Sequence, residues 1–203
     1  MSANPTVLLL AGSPSEPSRS AALLDAVAQR LHAYHGQTNA AFTVEHLSIR
    51  ELDAPALVLA DWSHPQIVAA LARVAQAQLI VVATPVYKAT YSGLLKVFLD
   101  LLPQTALAGK TVLPLATGGS PHHMLALDYA LRPVLQSLSA RHILPGVYAT
   151  DLQIPKSGTA YTLAPDIAQR LDEAVSNLLT EGLRIPLTAP FKPVLFSAVL
   201  CSV

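Results

Sequence analysis

The fold is decided by the stretch TVLLLAGSPSEPSRSAALL, residues 6–24. It opens with an apolar run, Thr6–Leu10, that has the length and composition of a buried β-strand. A loop of small and hydroxyl-bearing residues follows, and the helical spacing of Leu24, Val27 and Leu31 begins directly after it. A strand that passes through such a loop into a helix presents free backbone N–H groups and the positive end of the helix to an anion.

The side chains of this loop suit a phosphate group. Ser13, Ser18 and Ser20 can donate hydroxyl hydrogen bonds, and Arg19 adds a permanent positive charge. Serine is also a preferred N-cap residue, so the same side chains are equally consistent with helix capping alone. The segment therefore predicts either a phosphorylated ligand outside the carboxyl end of the first strand or a capped helix without a ligand.

Composition narrows the class of protein. With 203 residues, 52% hydrophobic and 13% charged, the chain has the size of one α/β domain with a thoroughly buried sheet. Its formal net charge is zero, which gives no electrostatic support to a nucleic-acid or anionic-membrane partner. The single cysteine, Cys201, fits a reducing compartment; no secretory signal is expected, and no apolar run reaches the length of a membrane-spanning helix. We therefore expect a cytoplasmic protein.

Short apolar runs alternate with amphipathic stretches along the chain. The predicted strands are Thr6–Leu10, Phe42–Leu47, Leu79–Ala83, Thr111–Ala116 and Ile143–Ala149. The predicted helices are Ser20–Tyr34, Pro65–Ala77, Tyr91–Leu101, His123–Ser139 and Pro165–Glu181, and Asp53–Pro65 is predicted to be a loop. This alternation predicts an α/β, flavodoxin-like fold, a five-stranded parallel doubly wound sheet with helices on both faces. We expect it to occupy residues 1–184, with residues 185–203 as a C-terminal extension.

Two further loops follow predicted strands. The first is TPVYKATYSGLLK, residues 84–96, in which Pro85 is expected to end the strand because proline cannot donate to a sheet ladder. Its tyrosines, hydroxyls and backbone amides suit a planar ring such as the isoalloxazine of FMN. The second is Thr117-Gly118-Gly119, whose amides can point at a ring carbonyl without obstruction, although a Gly-Gly turn alone is weak evidence. The three loops together predict one ligand crevice.

The chain resembles the NADPH-dependent FMN reductases of the flavodoxin-like superfamily, and among them the reductases that serve two-component alkanesulfonate monooxygenases. Three stretches carry the resemblance: AGSP…PSRS…LL at 11–24, VATPVYKATYSGLLKVFLDLLP at 82–103, and GKTVLPLATGG…HMLALDYALRPVL at 109–135. Together they span most of residues 6–180, and the resemblance fades in the tail.

The resemblance implies a flavin site with three parts. The FMN phosphate would be held by Ser13, Ser18, Arg19 and Ser20. The ring and ribityl chain would be lined by Pro85, Val86, Tyr87 and Lys88, with Ser92 and Gly93 nearby. The pyrimidine side would contact Thr117, Gly118 and Gly119. Where relatives often have an arginine this chain has Ser15, so Arg19 is expected to be the sole guanidinium at the phosphate.

The activity implied is NAD(P)H-dependent reduction of FMN, with FMN and NADPH as cofactor and substrates and a flavin-dependent monooxygenase as the partner that takes reduced FMN. No catalytic acid or base is predicted, because hydride transfer needs only two rings placed in contact. No metal site is expected either, since adjacent His122 and His123 point apart on a helix. Two roles remain open for Lys88: contact with the ligand, or a solvated position in the loop.

The resemblance also implies a homodimer or homotetramer, with Tyr129 on a π-bulge near a subunit contact beside the flavin. From spacing alone, Tyr129 is an ordinary aromatic residue of an amphipathic helix. Two other functions remain open: an FMN-bound quinone, azo-dye or metal-oxyanion reductase of the same fold, and a flavodoxin-type electron carrier. The carrier ranks below the reductases because such carriers are usually strongly acidic and this chain is neutral.

Overall fold

A mostly parallel sheet forms the centre of the molecule, of which the computed structural model describes residues 4–37, 42–140, 142–158 and 160–183. The strands are β1 Thr6–Ala11, β2 Thr43–Ser48, β3 Leu79–Tyr87, β4 Thr90–Tyr91, β5 Thr111–Gly118, β6 His142–Ile143, β7 Val147–Thr150, β8 Lys156–Ser157 and β9 Ala160–Tyr161. The helices are α1 Arg19–Gln37, α2 Ala54–Val58, α3 Pro65–Gln76, α4 Gly93–Asp100, α5 Arg132–Ser137 and α6 Pro165–Gly182.

The predicted parallel order of the sheet is confirmed. The strands run β2-β1-β3-β5, and β6 and β7 both pair with β5 at the fifth position. The count differs from the prediction of five strands, because β4 adds a short antiparallel segment beside β3 and the predicted strand Ile143–Ala149 is split in two. Pro145 lies in the interruption, where it has no N–H to donate to the ladder with β5.

The prediction that Pro85 ends its strand is wrong. β3 continues to Tyr87, and Pro85 stands in register with Thr117 of β5. Pairing with β1 ends at Ala11 opposite Ala83, so beyond that point β3 has a partner on one side only. Backbone groups of consecutive strand residues face opposite neighbours, and those of every second residue face the same one. The Ala83 carbonyl accepts the Gly12 N–H, so Pro85, two residues on, also faces the side of β1, which has already ended there.

The helices cover both faces of the sheet and enclose two apolar layers. Alternation along β1 sends Val7 and Leu9 to the layer under α1 and α6, and Leu8 and Leu10 to the layer under α3, α4 and α5. All four side chains are buried, as expected for a parallel strand with helices on both sides.

Two connecting regions differ from their predictions. The stretch 53–65, predicted to be a loop, contains the short helix α2, whose first turn is capped by the Asp53 carboxylate. The predicted helix His123–Ser139 is divided into a 3₁₀ turn at Pro121–His123, a π-helix at Leu127–Leu131, and α5. The π-helix places Tyr129 where the resemblance implied a π-bulge.

The predicted extension 185–203, with Cys201, lies outside the described residues, so the proposed boundary after residue 184 stays a prediction. Over the part of the chain that the structure describes, no helix combines the length and apolar character needed to cross a membrane.

Candidate functional site

The loops that leave β1, β3, β5 and β7 meet in one crevice at the carboxyl edge of the sheet. Its volume is about 260 Å³. The lining residues are Ser13, Ser15, Pro17, Ser18, Arg19, Pro85, Val86, Tyr87, Thr117, Gly118, Gly119, Asp151 and Tyr161. Arg19, Tyr87 and Gly118, which stand for the three predicted loops, thus line a single cleft. The arrangement follows from the parallel sheet, in which all carboxyl strand ends point the same way.

The first loop presents hydroxyls beside the start of α1. Ser13 is buried, and its hydroxyl oxygen accepts the Ser15 N–H at 3.2 Å. The Ser18 side chain accepts the Ala21 N–H at 3.5 Å, and its hydroxyl lies 2.9 Å from that of Ser20. Ser20 is buried behind Ser18 and does not line the crevice. The loop therefore both begins the helix and offers hydroxyls to a ligand, so capping and binding coexist.

Arg19 is held in place by the segment that follows β7. Its Nε donates to the Ile154 carbonyl oxygen at 3.0 Å, and its guanidinium carbon lies 5.5 Å from the centre of the Tyr161 ring. A terminal guanidinium nitrogen lies 3.5 Å from Oδ2 of Asp151. The positive charge predicted for the phosphate thus lies at the crevice wall with a fixed orientation and a carboxylate beside it.

The second loop is a tight hairpin. β3 and β4 pair through Tyr87 and Thr90, so Lys88 and Ala89 form a two-residue turn. Both have positive φ, 49° and 63°, as the turns that suit a twisted hairpin require. The turn carries Tyr87, whose hydroxyl lies 3.4 Å from the Ser15 hydroxyl across the crevice mouth. Lys88 is exposed and does not line the crevice.

Ser92 and Gly93 lie behind the crevice rather than on its wall. The fully buried Ser92 hydroxyl donates to the Gly12 carbonyl and accepts the Leu95 N–H at 3.1 Å, which caps α4. A β-carbon added to Gly93 would meet nothing within 4 Å, so packing within the chain does not require glycine there. In the described structure, Ser92 joins the first and second loops.

The third loop is shaped by Tyr148 of β7. A β-carbon on Gly118 would lie 2.5 Å from the Tyr148 hydroxyl oxygen, so any side chain there would require the Tyr148 ring to move. That hydroxyl donates to the Ser120 carbonyl at 2.6 Å, which fixes the loop beyond Gly119. Burial, followed by the nearby Asp151 charge, raises the pKa of the Tyr148 hydroxyl, so it stays a neutral donor. Gly119 faces open space, with its nearest β-carbon contact at 3.9 Å from Asp151.

Sequence reasoning missed the contribution of the fourth loop. Asp151 follows β7 at the same sheet edge, so the carboxyl-end rule applied to the fifth strand would have found it. Tyr161 comes from the small β8–β9 hairpin, for which the sequence carries no clear pattern. Tyr148 is buried in a strand and reaches the site only through Gly118 and Ser120.

A larger cavity, of about 550 Å³, adjoins the crevice and shares with it the lining residues Ser13, Ser15, Pro17, Ser18 and Tyr161. It is lined by the first loop, α1, the segment after β2 and β9, and includes the Arg50–Glu16 ion pair at 2.5 Å. It receives neither the loop after β3 nor the loop after β5. The smaller crevice is the better candidate, because it alone of these two combines hydroxyls, an aromatic wall and glycine amides.

Comparisons with known proteins agree on one family. The model of the NADPH-dependent FMN reductase family matches residues 5–153. An FMN reductase (NADPH) of Escherichia coli K12 is 44% identical over 83% of this chain and 85% of its own length. An FMN reductase (NADPH) of Pseudomonas putida KT2440 is 41% identical over 93% and 91%. The solved apo structure of an NADH:FMN oxidoreductase, EMOB, aligns with a TM-score of 0.75 at 38% identity, covering 86% of this chain and 88% of that one.

Proposed function

Because this chain belongs to the NADPH-dependent FMN reductase family, we propose that the crevice at the carboxyl edge of its sheet is where FMN is bound and reduced. FMN and NADPH are the molecules that the family uses. The observation that carries the proposal is the meeting of three loops, after β1, β3 and β5, around one cleft of about 260 Å³.

The residues of the crevice fit the parts of FMN. Ser13, Ser18, the amides at the start of α1 and the Arg19 guanidinium supply donors for a phosphate. Pro85, Val86 and Tyr87 form the wall along which a ring can lie. Thr117, Gly118 and Gly119 offer backbone amides, and the open space at Gly119 is what a β-carbon would fill. Ser20, Ser92 and Gly93 would act through the shape of these loops, and Lys88 from the rim.

When bound, FMN supplies the chemistry by accepting a hydride from the nicotinamide of NADPH. The protein's share is to position both molecules and to exclude water. Among the described residues that line the crevice, the ionisable side chains are Arg19, Asp151 and two tyrosines, Tyr87 and Tyr161. None of them is needed as an acid or a base, so we assign no catalytic residue.

An anaerobic NADPH titration with free FMN tests the proposal. The flavin absorbance band should bleach in proportion to the NADPH added, and only when the protein is present in catalytic amount. The same experiment with a quinone as acceptor tests the alternative, an FMN-bound quinone reductase of the same fold. Fast quinone turnover with saturated flavin, together with slow reduction of free FMN, would contradict the proposed function.

We propose further that reduced FMN leaves for a flavin-dependent monooxygenase, of the kind that desulfonates alkanesulfonates. The sequence resemblance supports this, and so do the names of the relatives, in which FMN is the molecule reduced. A coupled assay decides: NADPH, FMN, oxygen, an alkanesulfonate and its monooxygenase should release sulfite only when this reductase is added. If no sulfite is released although free FMN is still reduced, the proposal that this monooxygenase is the partner is refuted.

An assembly of two or four copies is proposed for the face around the π-helix. Tyr129 is 78% exposed there, and Met124 and Leu125 beside it are about half exposed, which leaves an apolar patch uncovered by the described chain. Light scattering after size exclusion should report a dimer or tetramer for the native protein and a smaller species for Tyr129→Asp. A monomeric native protein would contradict the proposal.

A further inference from the structure

The crevice carries a negative charge beside the guanidinium that is proposed to hold a dianionic phosphate. Asp151 follows β7 and lines the cleft with its side chain 45% exposed. Its Oδ2 atom lies 3.5 Å from a terminal nitrogen of Arg19 and 3.9 Å from the position of a β-carbon at Gly119. The carboxylate is therefore located between the first loop and the third.

The charges of the crevice cancel. Among the described lining residues, Arg19 is the cationic side chain and Asp151 the anionic one. A phosphate carries about −1.5 to −2 charges at neutral pH and is bound most tightly by cations left free to pair with it. A carboxylate beside the single guanidinium competes for its charge and repels the phosphate directly.

Orientation of Arg19 does not depend on this carboxylate. The Arg19 Nε donates to the Ile154 carbonyl, and the guanidinium lies over the Tyr161 ring. A contact at 3.5 Å between partly exposed groups adds little to that placement. The main consequence of Asp151 is thus electrostatic.

We propose that Asp151 is an affinity-determining residue that weakens binding of the flavin phosphate, so that FMN exchanges as a substrate instead of staying bound. This inference rests on the proposed function, because it assigns the crevice to FMN.

The test compares Asp151→Asn with the native protein by fluorescence titration of FMN and of riboflavin, which lacks the phosphate. Asparagine keeps the shape and an acceptor for Arg19 but removes the charge. We expect the Kd for FMN to fall about tenfold, the effect of one unit charge a few ångströms away in a partly solvated site. The Kd for riboflavin should change far less, because its oxidised ring is uncharged even where it reaches Gly119 beside Asp151, and the gain for FMN should shrink in high salt.

Asp172→Asn is the matched control, because Asp172 pairs with Arg30 at 2.6 Å outside the crevice and its loss should leave both affinities unchanged. An unchanged or weaker affinity of Asp151→Asn for FMN would overturn the inference, as would equal tightening for riboflavin. Failure of the native protein to bind FMN or to reduce it with NADPH would instead refute the proposed function. If the native protein reduces FMN normally and the Asp151→Asn variant binds FMN with the native affinity, only the role of Asp151 is refuted.

Discussion

The hydroxyl oxygen of Tyr148 lies 2.5 Å from the position that a β-carbon would take on Gly118. The same hydroxyl donates to the Ser120 carbonyl at 2.6 Å, so one buried side chain sets both the space and the course of the third loop. The absence of a side chain at Gly118 thus suits its strand neighbour, and Gly118 lines the crevice together with Gly119.

Gly118→Ala should therefore destabilise the protein and weaken FMN binding. A β-carbon in contact with Tyr148 forces that ring to move, at a cost of about 1–3 kcal/mol in the free energy of unfolding. Urea denaturation measures the loss, and flavin titration measures the change in affinity.

A second substitution tests whether contact with the Tyr148 hydroxyl oxygen causes the loss of stability. Tyr148→Phe removes the clashing oxygen, so the double variant should be more stable than the sum of the two single changes predicts. Gly93→Ala is the control for stability, because nothing lies within 4 Å of its added β-carbon. Strict additivity of Gly118→Ala and Tyr148→Phe would show that the oxygen contact is not the cause.

Tyr148 also predicts a pH dependence of stability. Its pKa in the folded protein is raised above 10.0, chiefly by burial, so the folded state keeps this proton at pH values where the unfolded chain loses it. The contribution is complete below pH 10.0 and is lost as the pH rises through the folded value.

Urea denaturation from neutral pH to above pH 10.0 checks this dependence. At neutral pH the Tyr148→Phe variant should be less stable than the native protein, because it has lost the hydrogen bond to Ser120. As the pH rises, however, its free energy of unfolding should fall by less. Tyr91, whose pKa is also raised by burial, and Lys110, whose pKa burial lowers, act alike in both proteins and cancel in the comparison. Parallel alkaline losses in the two proteins would refute the assignment.

The central fold could be predicted from the sequence because buried parallel strands appear in it as uninterrupted apolar runs. The predicted strands Thr6–Leu10 and Leu79–Ala83 begin where β1 and β3 begin, and they end one and four residues before those strands end. The error at the end of β3 arose from a rule about proline that depends on which neighbouring strand is still present. Pairing is a tertiary property, so a single sequence could not show that β1 ends opposite Ala83.

The candidate crevice could be predicted where loops leave strands, but not where distant segments fold back over it. The loops at Ser13, Tyr87 and Gly118 could be placed at one edge from topology alone. Ser92 is among the residues predicted at the ligand, although its buried hydroxyl donates to the Gly12 carbonyl and accepts the Leu95 N–H. Asp151 and Tyr161 reach the crevice through the fourth loop and a small hairpin, whose positions depend on packing rather than on local pattern.

Ser92→Ala should test the structural role of that hydroxyl. The change removes the N-cap of α4 and leaves the buried Gly12 carbonyl without its donor, which together cost about 2–3 kcal/mol. The loss is read from urea denaturation. Ser137→Ala is a matched control, because that hydroxyl is exposed and bonds only within its own helix, so its loss should be small. Equal stabilities of the two variants would show that Ser92 does not join the loops.

The last prediction concerns the strained turn that carries Tyr87. Ala89 has a φ of 63°, a left-handed conformation that costs a residue with a β-carbon about 1–2 kcal/mol. Ala89→Gly should therefore raise the free energy of unfolding by about 1 kcal/mol, after allowance for the freer unfolded chain. The affinity for FMN should fall, because glycine loosens the turn at the crevice mouth. Ala60→Gly supplies the control, since Ala60 has a φ of 54° but lies outside the turn that carries Tyr87: the stability of this variant should rise in the same way with the affinity for FMN unchanged. Denaturant titration and flavin titration on the two variants give the answer, and an equal change of affinity in both would show that rigidity of the Tyr87 turn has no part in binding.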